Sequence, residues 1–136
     1  MTTDPRQAFL NFSTFAVAGA SRNRDKYGNI VLRALRTSGR PVYAINPAAA
    51  QIEGESAYQN LASIPVPIDA ISIVTPPDVS RTIVRDAMQA GVKAIWFQPG
   101  AEAFDVSRLA REAGLIVIDD GSCILVALAQ LRGSQS

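Results

Sequence analysis

Apolar and polar positions along this chain switch regularly between two spacings. Phe15-Ala16-Val17-Ala18 is an unbroken apolar run that stops at Gly19. Such a run reads as a strand buried on both faces. Ile30, Val31, Ala34 and Leu35 then recur at helical spacing, with Arg33, Arg36 and Thr37 on the other side and Gly39 as the stop. Pro41–Ile45 is a second strand, ending at Asn46-Pro47. Asp69–Val74 is another, ending at Thr75-Pro76-Pro77. The next helix is predicted to start at an Asp78 cap, to bury Val79, Ile83, Val84, Ala87 and Met88, and to close at Gly91. Ala94–Phe97 is a strand that ends at Gln98-Pro99-Gly100. Val106, Leu109, Ala110 and Ala113 line a helix closed by Gly114, and Leu115–Ile118 is the last strand.

The ends and the middle are less regular. Asp4-Pro5 reads as a cap followed by proline at the first helical position, with Ala8, Phe9 and Phe12 as a short apolar face. Residues 48–68 hold only short elements: Ala57–Gln59 as a stunted strand at the edge and Leu61–Ile64 as a brief helical turn. Ser122–Leu131 predicts a terminal helix that is apolar almost all round. This β-α-β rhythm predicts one α/β domain over residues 1–136. Its open parallel sheet is of Rossmann type, with helices on both faces, right-handed crossovers and strand order 3-2-1-4-5-6, strand 3 being short. Trp96 is expected in the core.

In such a sheet, ligands bind outside the carboxyl ends of the strands, near the switch in strand order. The informative residues are therefore those just after each strand: Gly19-Ala20-Ser21, Asn46-Pro47, Thr75-Pro76-Pro77, Gln98-Pro99-Gly100 and Asp119-Asp120-Gly121. Gly19 permits a tight bend and close backbone approach. The helix after it is expected to start near Tyr27 or Gly28, and its free N–H groups favour an anion. Arg22, Arg24 and Lys26 lie between, a loop suited to several phosphates. Each feature also has an ordinary reading: a tight turn, a solvated charge run, or punctuation at a helix start.

Composition removes several function classes. The chain has no histidine, hence no Ser/His or Cys/His nucleophile pair and none of the commonest metal ligand. Its net charge of +1, from 13 basic and 12 acidic residues, gives no electrostatic footprint for nucleic acid or a membrane surface. Hydrophobic residues at 48% suffice for one core. The longest apolar run, Cys123–Ala129, is far short of the roughly 20 residues of a spanning helix. No signal-peptide core opens the chain, and its one cysteine, Cys123, suits a reducing compartment, so a cytoplasmic location is expected.

The stretches Val17-Ala18-Gly19-Ala20-Ser21, Lys26-Tyr27-Gly28-Asn29, Val42–Pro47, Ile73-Val74-Thr75-Pro76-Pro77 and Trp96–Ala101 occur in the order seen in the CoA-binding protein family. The chain resembles that family from Phe15 to Leu128. More distantly, it is similar to the CoA-binding domain of the succinyl-CoA ligase alpha subunit and of ADP-forming acyl-CoA synthetases. The resemblance implies that the Gly19 and Thr75-Pro76 turns flank the diphosphate of coenzyme A, and that Asn46 and Pro47 border the adenosine end. In the ligases, catalysis uses a histidine of another domain, so ligase activity does not carry over to this sequence.

The expected function is non-catalytic binding of coenzyme A or an acyl-CoA. The expected site comprises Gly19, Ala20, Ser21, Arg22, Arg24, Lys26, Tyr27, Gly28, Asn46, Pro47, Thr75, Pro76, Pro77, Gln98, Pro99, Gly100 and Cys123. One alternative is an NAD(P)-dependent oxidoreductase or its relic. Against it stand the lack of Gly-x-Gly-x-x-Gly and the presence of Asn46 where an acid would bind ribose. The other is a protein-interaction module with a vestigial nucleotide pocket. The apolar terminal helix points to a possible homo-oligomer. With Ser122 as cap, Cys123 would enter the first helical turn, where the dipole favours thiolate and a mixed disulfide with bound CoA. The competing reading is a buried, inert thiol.

Overall fold

The computed structural model describes residues 4–134, with side chains through 132. Seven strands form one sheet: β1 Phe15–Ala18, β2 Val42–Ile45, β3 Gln51–Ile52, β4 Glu55–Tyr58, β5 Ala70–Ile73, β6 Ala94–Phe97 and β7 Ile116–Ile118. Among the described residues, five helices cover it: α1 Pro5–Leu10, α2 Tyr27–Thr37, α3 Pro77–Ala90, α4 Phe104–Glu112 and α5 Ile124–Ser134. A 3₁₀ turn spans Leu61–Ser63. The strand order is β3-β4-β2-β1-β5-β6-β7. Every pairing is parallel except that of β3 with β4.

Setting β3 aside, the parallel strands follow the expected Rossmann-type order. The difference lies at the edge. Only Ala57 and Tyr58 pair with β2, opposite Ala44 and Ile45, and Gln59 falls outside the strand. The chain reaches them through an antiparallel hairpin, β3–β4, that turns at Glu53-Gly54. Glu53 holds a left-handed φ of 51° there and Gly54 one of 80°. A turn that bends through one non-glycine residue leaves little signal in sequence.

Period-two alternation divides the strand side chains between two cores. Phe15, Val17, Ala44, Trp96 and Ile118 face α1, α2 and α5. Ala16, Ala18, Ile71, Ile95 and Phe97 face α3, α4 and the 3₁₀ turn. Trp96 is fully buried, edge-on to Phe9 at 5.3 Å, and its indole N–H donates to the Ser122 carbonyl at 2.9 Å. The Asp4 cap and Pro5 start α1 as expected. Phe9 is buried as expected, but Phe12 lies beyond that helix and Leu10 is buried in its place.

Three helix expectations need correction. Pro76 occupies the cap of α3 and Asp78 lies in its first turn, paired with Arg81 at 2.6 Å. Proline at the first helical position suits the missing N–H and moves the start ahead of the carboxylate. Val79 and Leu109 are 48% and 46% exposed. In α3 the turn toward the sheet is taken by Ser80, whose hydroxyl bonds that of Thr75 at 2.8 Å. Finally, α5 begins at Ile124, so Cys123 precedes it, its carbonyl accepting from Val126 and Ala127. That helix returns onto α2 and the sheet with Ile124, Ala127 and Leu128 buried. Val126 is its exposed large apolar side chain. No helix among the described residues is long and apolar enough to cross a membrane.

Candidate functional site

The parallel strands carry the five turns to one edge of the sheet, and β1 is where the order reverses, with β2 on one side and β5 on the other. A cavity of about 400 Å³ opens there. Gly19, Ala20, Ser21, Asn46, Pro47 and Thr75 line it, from three of the five turns. The far wall is a stripe of α3 comprising Val79, Thr82, Ile83 and Asp86, and the 3₁₀ turn adds Leu61.

Two glycines shape the first turn for internal reasons. Gly19 has φ +89°, and a Cβ there would lie 2.2 Å from the Val74 carbonyl oxygen. A Cβ on Gly28 would lie 2.0 Å from the Gly19 carbonyl oxygen. The backbone of β1's turn is thus wedged between the end of β5 and the start of α2. The amides of Ala20, Ser21, Arg22 and Thr75 meet no acceptor among the described residues. Those of Ala20, Ser21 and Thr75 supply hydrogen-bond donors at the cavity, and that of Arg22 follows them in the chain, the chemistry an oxyanion requires.

The loop beyond is held by a residue the site prediction omitted. Asn29 is fully buried; its amide donates to the Ser21 carbonyl at 2.8 Å and to Glu53 at 3.2 Å, and its Oδ1 accepts from Arg33 at 2.7 Å. Glu53 also receives the Arg24 guanidinium at 2.7 Å. Of the three loop cations, Arg24 is therefore neutralised by the hairpin. Arg22 and Lys26 are exposed and lack a carboxylate partner among the described residues. None of the three lines the cavity.

Asn46 joins two turns: its Nδ2 donates to the Ala20 carbonyl at 2.8 Å and its Oδ1 accepts from Ala48 at 2.7 Å. Pro76 and Pro77 are exposed at the start of α3, off the cavity wall. Pro99 and Gly100 are exposed too, with the Gly100 amide donating to Glu102 at 2.8 Å.

Gln98 is completely buried. Its Oε1 accepts from the Ile124 amide at 2.9 Å and the Tyr27 hydroxyl at 3.2 Å, and its Nε2 donates to Ser72 at 3.1 Å. The side chain ties β5, β6, α2 and α5 together and does not reach the cavity. Tyr27 and Cys123 belong to the same cluster, the hydroxyl hydrogen-bonded to the half-buried Sγ. Burial, reinforced by that bond, pushes the Tyr27 phenol well above its usual range, so it stays protonated.

The missed wall of α3 had a legible signal. Val79, Thr82, Ile83 and Asp86 are spaced i, i+3, i+4, i+7 directly after the Thr75 turn, which is one helix face. Glu53 had none, and Asn29 was legible only as part of the Lys26-Tyr27-Gly28-Asn29 stretch, because the roles of both depend on the hairpin bringing residues 24–29 and 53 together.

The family model described as a CoA binding domain matches residues 13–129. Among curated proteins, the chain is similar to the ADP-forming acetate–CoA ligase I of Archaeoglobus fulgidus, with 39% identity over 78 residues. That stretch covers 57% of this chain and 11% of the relative, so the chain spans about a tenth of that protein's length. Among solved structures, it is similar to a conserved hypothetical protein from Pyrococcus furiosus, with 40% identity and a TM-score of 0.78, covering 85% of this chain and 99% of that one. It is also similar to a hypothetical protein from Pyrococcus horikoshii OT3, with 29% identity and a TM-score of 0.89, covering 95% and 90%.

Proposed function

Because the chain belongs to the CoA binding domain family, we infer that it binds coenzyme A or an acyl-CoA at the carboxyl edge of its sheet, without a reaction of its own. The observation that carries this reading is the set of unpaired amides at Ala20, Ser21, Arg22 and Thr75 beside the cavity at the strand-order switch. They suit the diphosphate. Asn46 and Pro47 border the adenosine end, with Asp86 on the opposite wall as an acceptor for ligand N–H or O–H groups. Arg22 and Lys26 at the rim meet phosphate oxygens that extend past the cavity. Gln98 and Cys123 act from behind the site, by holding α2 and α5 on the sheet.

The absence of histidine supports a binding role, since general base and phosphoryl carrier chemistry would need another group. The matching part of the acetate–CoA ligase is a small share of that enzyme, which supports leaving the ligase reaction to its other parts. Titration calorimetry with CoA, dephospho-CoA and NAD tests the proposal. CoA should bind more tightly than NAD, because it carries a third phosphate to the same rim. Equal or tighter binding of NAD would overturn it.

A further inference from the structure

A second hollow, of about 670 Å³, lies on the face of the sheet that carries α1, α2 and α5. It shares no lining residue with the cavity at the strand edge. Phe12, Ile30, Ala34, Leu125 and Leu128 give it an apolar floor. Arg33, Arg40 and Arg132 stand around that floor, and among the described residues no acidic one lines it.

Two of the three guanidinium groups are fixed by neutral acceptors. Arg33 donates from Nε to Asn29 Oδ1 at 2.7 Å and from a terminal nitrogen to the Arg24 carbonyl at 3.0 Å. Arg40 donates from Nε to the Leu10 carbonyl at 3.0 Å and sits 6.0 Å from the centre of the Phe15 ring. None of the three has a carboxylate partner among the described residues, whereas Arg6, Arg24, Arg36, Arg81 and Arg111 all do. Burial disfavours the charged form of Arg40, with no neighbouring carboxylate among the described residues to offset it. Oriented, partly desolvated and unpaired guanidinium groups are an arrangement an oxyanion completes.

A second copy of this chain is a poor occupant. A two-fold contact through this groove would set its arginines against their own counterparts. The volume falls in the range of small-molecule sites, about 300–1,000 Å³. We propose that the groove between α2 and α5 is a second binding site, independent of the CoA reading, for a small amphipathic oxyanion. Its apolar body would lie on the floor and its carboxylate or phosphate among Arg33, Arg40 and Arg132.

The experiment is an amide-resolved NMR titration of the full chain with octyl phosphate, octanoate, inorganic phosphate and the neutral octyl glucoside. Octyl phosphate should give saturable shifts at Ile30, Ala34, Leu125 and Leu128 that persist when CoA is present. Octanoate reports whether a carboxylate serves as well as a phosphate; either head group, bound there more tightly than octyl glucoside, supports the site. Arg132→Gln and Arg40→Gln should each weaken binding about tenfold. Arg132 is exposed in the last turn of α5, so its variant keeps the test valid should Arg40→Gln misfold. Equal binding of octyl glucoside would show an apolar groove without anion recognition and overturn the proposal. So would shifts confined to Ala20 and Thr75 that CoA displaces, or no saturable binding by either anionic amphiphile.

Discussion

At Gly19 and Gly28 the constraint is steric and internal. The sequence suggested that Gly19 leaves room for a ligand; the structure gives it to the Val74 carbonyl, 2.2 Å from where a Cβ would be. Gly28 meets the Gly19 carbonyl in the same way. Both glycines were legible in the sequence, but the carbonyl that constrains Gly19 comes from the residue just after β5, far along the chain, and Gly28 is constrained in turn by Gly19. Gly28→Ala should therefore lower stability by about 3 kcal/mol in denaturant unfolding, the cost of shifting backbone rather than a flexible side chain. Unchanged stability would mean that α2 moves freely away from the turn. It also follows that Gly19→Val tests folding before it tests binding. Ser21→Ala is the cleaner variant. Its hydroxyl accepts from Asn23 at 3.1 Å, so the variant should lose about 1 kcal/mol, read as a modest fall in CoA affinity and a drop of only a few degrees in the melting temperature.

At the scale of elements, the central strands were readable because β1, β2, β6 and β7 are continuous apolar runs and β5 is one broken by the buried Ser72, each run followed by turn-forming or polar residues. The β3–β4 hairpin escaped because its strands are short and largely exposed, and its turn is made by Glu53 at positive φ. The five turns were found by topology alone, yet only three line the cavity. The Gln98 turn is engaged by packing, since a buried amide at the start of a loop must find partners wherever they are. The turn after β7 is fixed by an ion pair instead: Asp119 accepts from Arg111 at 2.7 Å and its side chain is 12% exposed. The Arg111 hydrogen bond holds the Asp119 carboxyl below its usual range. A depressed carboxylate stabilises the fold above the unfolded pKa of about 3.9, and that contribution disappears as pH falls through the folded value. Asp119→Asn should therefore lower the melting temperature near neutrality and converge on the wild type in acid. A constant gap across this range would show that the pair contributes no pH-dependent stability.

Over the whole molecule, charge is nearly balanced, so local pairing decides which cations remain for a ligand. The loop Arg22–Lys26 looked like one cluster in sequence, but Glu53 removes Arg24 from it by bonding at 2.7 Å. Arg22 and Lys26 remain exposed beside the unpaired amides of the first turn. A peripheral phosphate should feel these two residues, and the diphosphate should be held mainly by backbone. Arg22→Ala and Lys26→Ala should then each weaken CoA about fivefold, on the order of 1 kcal/mol, and dephospho-CoA less. The difference between the two ligands should shrink as salt rises, because exposed charges are screened over about 10 Å at 0.1 M. Arg24→Ala should act differently. It leaves Glu53, among the described residues, with Asn29 as its one remaining partner, so it should loosen the loop and weaken both ligands alike, without a salt-dependent difference. Calorimetry of the three variants against both ligands at two salt concentrations separates these roles. Equal losses for CoA and dephospho-CoA in Arg22→Ala and Lys26→Ala would place those side chains at the diphosphate. No loss in either would return the loop to ordinary solvated charge and leave recognition to the backbone turns alone.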